Sequence, residues 1–215
     1  MNVAAPHITE ATELAELPVL IFDSETTGLD ITHDDIISVG GVRMQGAQIV
    51  DDAPLDQLIN PERPIPRLST VIHGITDAMV ADAPTFAEVW QPLIEPALQG
   101  RVIIGHNIGF DIAHLRRATS KIGLKWPGVR ALDTLLLYAS LEPKAPAASL
   151  DYLAAEFGVK AENRHTALGD CQTTAAVYQH LLARLHDKGV TTLGQAEEWS
   201  RKPKAIRNMQ KRAGW

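Results

Sequence analysis

The sequence predicts an α/β fold in which helices flank a mixed central β-sheet of about five strands. Three observations predict it. Short unbroken apolar runs, "PVLIF" (18–22) and "RVIIG" (101–105), suit strands buried on both faces. Longer segments such as "FDIAHLRRATSKIG" (110–123) repeat their apolar residues at helical spacing. Strands come first as a cluster, and strand and helix then alternate, an order that suits a sheet covered by helices.

The elements follow in order. Residues 1–17 form a leader with one weak helical turn in "TEATELAEL". "PVLIF" is the first strand, "DIISVGGVRM" (35–44) the second, and "QIVDDAPLDQLI" (48–59) the third, broken near Pro54. The prolines of "NPERPIP" (60–66) make a loop. "TDAMVAD" and "PTFAEVWQPLIEPAL" are helices, the second entered through Pro84, and Thr76 is placed to cap the first. "RVIIG" is a further strand. Ile112, Leu115, Thr119 and Ile122 then share one face of a helix that stops at Gly123. "VRALD" (129–133) is the last strand, and Asp133-Thr134 starts a helix over "TLLLYASL". "SLDYLAAEFG" and "CQTTAAVYQHLLARLHDKG" are helices. "TLGQAEEW" (192–199) opens with a capping box.

The chain has 215 residues, of which 45% are hydrophobic, enough for one full-sized core. No apolar run reaches the roughly 18 residues that span a bilayer, and the start lacks a secretory pattern. No membrane partner is expected. Cys171, the single cysteine, rules out an internal disulfide, so the expected setting is cytoplasmic. Beside Asp170 it is expected to be a packed side chain. Charge is unevenly spread. Residues 201–215 hold six Lys/Arg and no acid, which leaves 14 basic and 26 acidic groups, a net of −12, on the other 200 residues. Such a body repels a polyanion unless cations or a basic patch intervene.

The chemistry starts at "VLIFDSETTGLD" (19–30). Side chains i and i+2 of a strand share a face, so Asp23 and Glu25 project together if the strand persists that far. Like charges so close disfavour each other unless a cation sits between them. Protonation or splaying into solvent are the alternatives. "IIGHNIGFD" delivers Asp111 to the start of a helix, where it also favours the helix dipole. "RHTALGD" carries His165 and Asp170. His165 is expected on the entering loop and Asp170 in the first helical turns, with Thr166 able to cap. Together these are hard oxygen donors of the kind that suit Mg²⁺ or Mn²⁺, and four carboxylates can hold two such ions.

At these residues the sequence resembles the DEDDh 3′–5′ exonucleases of the ribonuclease-H-like fold. The motifs read "FDSETTGLD" (22–30), "GHNIGFD" (105–111) and "HTALGD" (165–170), and "IHGITDAMVADAPTF" (72–86) resembles the segment between the first two. The likeness spans about residues 18–187. It is strongest to the proofreading ε-subunit group of bacterial DNA polymerase III. The resemblance implies two divalent ions, Mg²⁺ or Mn²⁺. Asp23, Glu25 and Asp170 would hold the one beside the attacking water, with Asp23 bridging to a second that Asp111 serves. His165 would be the general base, a task an imidazole suits near neutral pH. Thr26, Thr27, Gly28 and Leu29 would hold the terminal nucleotide. His106, Asn107 and Phe110 would line the next position, or simply pack.

The implied activity is removal of 5′-mononucleotides from single-stranded or frayed 3′ ends of DNA, in proofreading or repair. DNA is favoured over RNA. Two alternatives stand: RNA 3′-end trimming of the RNase T or oligoribonuclease type, and a non-catalytic polymerase-docking module. His73 and Gly74 are expected to be structural, and His7, His33, His114, His180 and His186 to be surface residues. Two basic stretches remain. One holds Arg116, Arg117, Lys121, Lys125 and Arg130 around Trp126, either a phosphate-tracking strip or an exposed helix face. The other is the extension 188–215, a candidate for nucleic acid or a polymerase partner.

Overall fold

The structure is a computed structural model that describes residues 7–50, 53–144 and 147–215. Strand β1 (Pro18–Thr26) is flanked by β2 (Ile36–Gln45) and β5 (Val102–Gly105). Beyond β2 lie β3 (Gln48–Ile49) and β4 (Leu55–Leu58), and beyond β5 lies β6 (Ala131–Asp133). The pairs β1–β2, β2–β3 and β2–β4 are antiparallel, and β1–β5 and β5–β6 are parallel. The sheet is therefore mixed, as expected, with six strands among the described residues. The sixth arises because the expected third strand is two short pieces, and the break between them includes residues 51–52, outside the described set.

Strand periodicity sorts β1 onto two cores. Val19 and Ile21 face one core with Tyr138, Leu153, Cys171, Tyr178 and Leu181. Those residues lie on α6 (Thr134–Leu141), α7 (Leu150–Phe157) and α8 (Ala167–Asp187). Leu20 and Phe22 face the other with Trp90, Ile94, Leu98 and Leu115, the last on α5 (Gly109–Lys121). β1 is thus sandwiched between helical layers, which is why its apolar half does not alternate. Cys171 is fully buried in the first core, as expected. Leu14 and Leu17 of the leader join that core, and so do Leu193 and Ala196 of α9 (Leu193–Ser200), whose Thr192–Gln195 capping box forms as expected. None of the helices among the described residues is long and apolar enough to cross a membrane.

Several local expectations are corrected. The segment 84–98 is a composite of α3 (Phe86–Val89), a wider turn over Trp90–Ile94, and α4 (Glu95–Leu98). It is capped by Thr85 with Glu88, and Pro84 precedes the cap. Thr76 stands at the start of α2 (Asp77–Val80), but its side chain makes no capping bond. Helix α1 (Arg67–His73) was not legible, because Leu68, Val71 and Ile72 face solvent and set up no core-facing period. His114 is not a surface residue. It is 1% exposed, one turn from Phe110, and its ring meets that of Phe110 edge-on at 4.5 Å. Burial depresses its pKa.

Candidate active site

β1 persists through Glu25, pairing Asp23 with Gly40 and Glu25 with Ser38 of β2. The strand alternation that sends Val19 and Ile21 toward α8 sends Asp23 and Glu25 the same way. Asp170 waits there, in the first turn of α8, on a helix capped by the Thr166 hydroxyl, which accepts from the Gly169 N–H at 3.1 Å. Gly40 makes the approach possible. A Cβ at that position would lie 2.3 Å from the carbonyl carbon of Ala167, so any side chain would push the start of α8 off the sheet.

The result is a group of three carboxylates, Asp23, Glu25 and Asp170, whose oxygens lie within 4.8 Å of one another. Burial, followed by the negative charges of Asp111, Asp170 and Glu25, pushes the Asp23 carboxyl well up. Glu25 is pushed up to about 8, by burial first and then by Asp170 and Asp111. A cluster that resists ionisation in this way is complementary to a cation, and its all-oxygen donor set fits a hard divalent ion.

Asp111 belongs to the same site but stands apart from that group. Ser24, on the opposite face of β1 from Asp23, donates its hydroxyl to Asp111 Oδ1 at 2.6 Å. Asp111 is buried in the first turn of α5, and burial pushes its carboxyl up to about 7 against the pull of the Ser24 bond. The expected four-carboxylate site is therefore three gathered acids with a fourth across the strand end, joined to them by its field.

His165 is on the loop entering α8, as expected, with an exposed side chain at the rim of the cluster. Its backbone is left-handed (φ 61°), and its N–H donates to Asp170 Oδ1 at 3.1 Å. The sequence pattern assigned no role to the neighbouring Arg164. Its guanidinium ion-pairs with Asp170, and with Asp151 at 2.6 Å. Its charge opposes the raised pKa values of Asp23 and Glu25. The signal was present, since an arginine beside the expected base in "RHTALGD" adjoins an acidic site.

Thr26, Thr27, Gly28 and Leu29 form a braced turn. Thr26 donates to the Gly28 carbonyl at 2.6 Å, Thr27 donates to Asp34 at 2.9 Å, and Ser69 of α1 donates to the Thr27 carbonyl at 2.6 Å. A Cβ on Gly28 would sit 2.3 Å from an Asp34 oxygen, so a side chain there would displace the Asp34 carboxylate from its bond to Thr27. Leu29 is 81% exposed, and Leu68, Val71 and Ile72 of α1 add further exposed apolar surface. Of the expected second nucleotide position, His106 pairs with Thr134 at 3.1 Å and is depressed to about 4 by burial. Asn107 and Phe110 touch α10 (Lys204–Arg212) and Trp215, a juxtaposition that local patterns could not report.

Of the basic strip, Arg116 and Lys125 are exposed, and the rest is engaged within the fold. Trp126 packs on Trp90 at 6.1 Å in the second core, Arg117 and Lys121 pair with Asp35, and Arg130 makes a two-pronged contact with Glu197 at 2.8 and 2.7 Å.

Known proteins share this sequence and this fold. The RNase_T exonuclease family model matches residues 20–178. A DNA polymerase III subunit epsilon-like protein from Rhodobacter capsulatus is 43% identical over 186 residues, covering 85% of this chain and 26% of that protein. A PolC-type DNA polymerase III from Caldanaerobacter subterraneus subsp. tengcongensis is 34% identical over 191 residues, covering 88% of this chain and 13% of that protein. The chain thus spans about a quarter or less of these two relatives. Among solved structures, Exonuclease X in complex with 5′ overhanging duplex DNA superposes with a TM-score of 0.65 at 29% identity, covering 84% of this chain and 99% of that one. Exonuclease I of E. coli, bound to a dT13 oligonucleotide, shares the fold at a TM-score of 0.70 and 18% identity, covering 80% of this chain and 42% of that one. With the family model matched from β1 into α8, the chain belongs to the RNase_T exonuclease family, with likeness to the epsilon-like and PolC-type proteins of DNA polymerase III.

Proposed function

We propose that the protein is a metal-dependent 3′–5′ exonuclease that removes 5′-mononucleotides from single-stranded or frayed DNA ends. The observation that carries this is the gathering of Asp23, Glu25 and Asp170 within 4.8 Å in a buried setting, which calls for a divalent cation. In this reading Asp23, Glu25 and Asp170 would hold one Mg²⁺ or Mn²⁺, and Asp23 with Asp111 would hold a second. The ions supply charge to the phosphodiester oxygens and acidity to a bound water. His165, exposed at the rim, takes the proton of the attacking water. Ser24 fixes the Asp111 carboxylate, and Arg164 fixes Asp170. The braced turn 26–29 seats the terminal nucleotide, with the exposed side chain of Leu29 against its base.

DNA is favoured because Exonuclease X, similar along its whole length, is described with DNA. A proofreading or repair setting beside a polymerase belongs to the same proposal, supported by the names of the relatives. The test is incubation with 5′-labelled single-stranded DNA and matched RNA, with Mg²⁺, with Mn²⁺ and with chelator. Stepwise shortening of DNA that chelator stops is the expected result. Shortening of RNA alone moves the activity to RNA end trimming, and no metal-dependent shortening of either sinks the proposal.

A further inference from the structure

The extension past α9 folds back onto the site. Gln210 of α10 donates its side-chain amide to Asn107 Oδ1 and to Asp133 Oδ2, both at 2.8 Å. Trp215 meets the Phe110 ring edge-on at 5.4 Å and lies over Gly109, where an added Cβ would be 3.2 Å away. Gly214 approaches Ile31, two residues beyond Leu29. The segment thus touches the loop after the first motif and the start of the helix that carries Asp111.

Its charges are unspent. Among the described residues, no carboxylate ion-pairs with Arg201, Lys204, Arg207, Lys211 or Arg212, and Lys202 lies over the Trp199 ring, whereas of the other basic stretch Arg117, Lys121 and Arg130 have acidic partners and Arg116 and Lys125 are exposed. Lys204, Arg207 and Lys211 are spaced i, i+3, i+7 and form one stripe of α10, with Arg212 beside it. The indole N–H of Trp215 is buried without a partner. On a chain whose other 200 residues carry a net of −12, this is a concentrated positive surface placed next to an acidic site.

We propose that α10 and Trp215 form a nucleic-acid-binding wall of the active site, in which Lys204, Arg207, Lys211 and Arg212 take successive phosphates of the strand leading to the carboxylates. Charge complementarity selects this occupant: a row of unpaired cations matches a phosphate backbone and supplies the attraction that the acidic body lacks. Gln210 and Trp215 pin the helix at Asn107 and Phe110, so the stripe is held in register with the site. The inference rests on the nucleic-acid substrate proposed above.

The experiment is fluorescence anisotropy of a 5′-labelled 20-nucleotide thymidine strand with the full chain in Ca²⁺, at a series of salt concentrations. The variant Lys204→Glu/Lys211→Glu/Arg212→Glu changes only exposed side chains. It is expected to bind at least tenfold more weakly at 0.1 M salt. Its plot of log affinity against log salt should be shallower by about 2, since each phosphate of a single strand left without its cation lowers the slope by roughly 0.7. Lys188→Glu, at the far end of α8 and roughly 27 Å along it from Asp170, should change neither. Equal affinity and slope for the triple variant would overturn the proposal and leave the tail to a protein partner. Tighter binding would overturn it as well, by making the tail a cover. Failure of the wild-type chain to bind the strand would also overturn it. Loss of exonuclease activity is read separately, by the shortening assay, and does not enter the binding result.

Discussion

Two groups of partly buried acid sit at the same end of the sheet and are solved in opposite ways. Asp35, just before β2, meets Arg63 at 3.4 Å, Arg117 at 2.9 Å and Lys121. Burial pushes its carboxyl up, but the hydrogen bonds and charges of Lys121 and Arg117 outweigh that and hold it below the ordinary range. Asp23 and Glu25 have burial and like charges, which the opposing charge of Arg164 does not offset, and both are raised. The chain does not lack cations to place, since it spends three on one aspartate. Leaving the second group undercompensated marks it as a seat for charge from outside the chain, and perturbed carboxylates of this kind cluster at functional sites.

The contrast breaks hardest at Asp23. Asp23→Asn should lower the rate of 3′-end shortening by about 10³-fold, because removing a carboxylate that positions the cation forfeits several kcal/mol of transition-state stabilisation. The same variant should raise the melting temperature of the metal-free protein, since it removes one of the mutually repelling charges. Single-turnover rates and metal-free melting, measured together, check both halves. Retained activity would place the chemistry elsewhere.

The next effect is linkage to metal and pH. Glu25, about 8 in the folded chain, titrates near the ordinary carboxylate value when unfolded, so between those values the folded state binds more protons. Stability of the metal-free protein therefore falls as pH rises from about 4.5 to 8. Asp111, at about 7, adds to the same slope. A divalent cation that binds only the folded state should reverse this. At a hundred times its dissociation constant it contributes about 2.7 kcal/mol, or roughly 5–10 °C of melting temperature for a chain of this size. Scanning fluorimetry at pH 5 and pH 8, with and without Mg²⁺, should show the cation's shift growing with pH. Asp170→Asn should abolish that shift, and an equal shift in variant and wild type would mean that the ion binds elsewhere.

Much of this site was legible in the sequence because its logic is local. The strand period aligned Asp23 with Glu25, and the short spacing from His165 to Asp170 put a loop residue and a first-turn residue side by side. What was not legible depends on distant partners. Asp111 reads as a fourth member of one cluster in the sequence, whereas Ser24 faces the other side of β1 and holds it there. Trp126 sits among cations in the sequence yet packs on Trp90, and His114 has no motif partner yet turns inward beside Phe110. Most telling are the two basic stretches. Both were open to a role with nucleic acid, and only the fold shows Arg117, Lys121 and Arg130 of the first held by Asp35 and Glu197 while the second returns to the site through Gln210.

The smallest expected effect lies at Asp35 and sharpens the contrast from its other side. Asp35→Ala leaves Arg117, only 21% exposed, without its carboxylate, while the half-exposed Lys121 and Arg63 are relieved by solvent. The loss should be about 1–2 kcal/mol rather than the larger penalty of a fully buried pair. At roughly 2–4 °C per kcal/mol, that is a melting decrease of about 4 °C at pH 7. The sign of the pH dependence is opposite to that of Glu25. A carboxyl held below its unfolded pKa contributes stability above that value and loses it as pH falls through the folded one. The gap between wild type and Asp35→Ala should therefore close in acid, while that between wild type and Glu25→Gln, without metal, should open toward pH 8. Melting curves of both variants from pH 3 to 8 check this, and parallel profiles would mean that the two acids do not differ in the way their neighbours dictate.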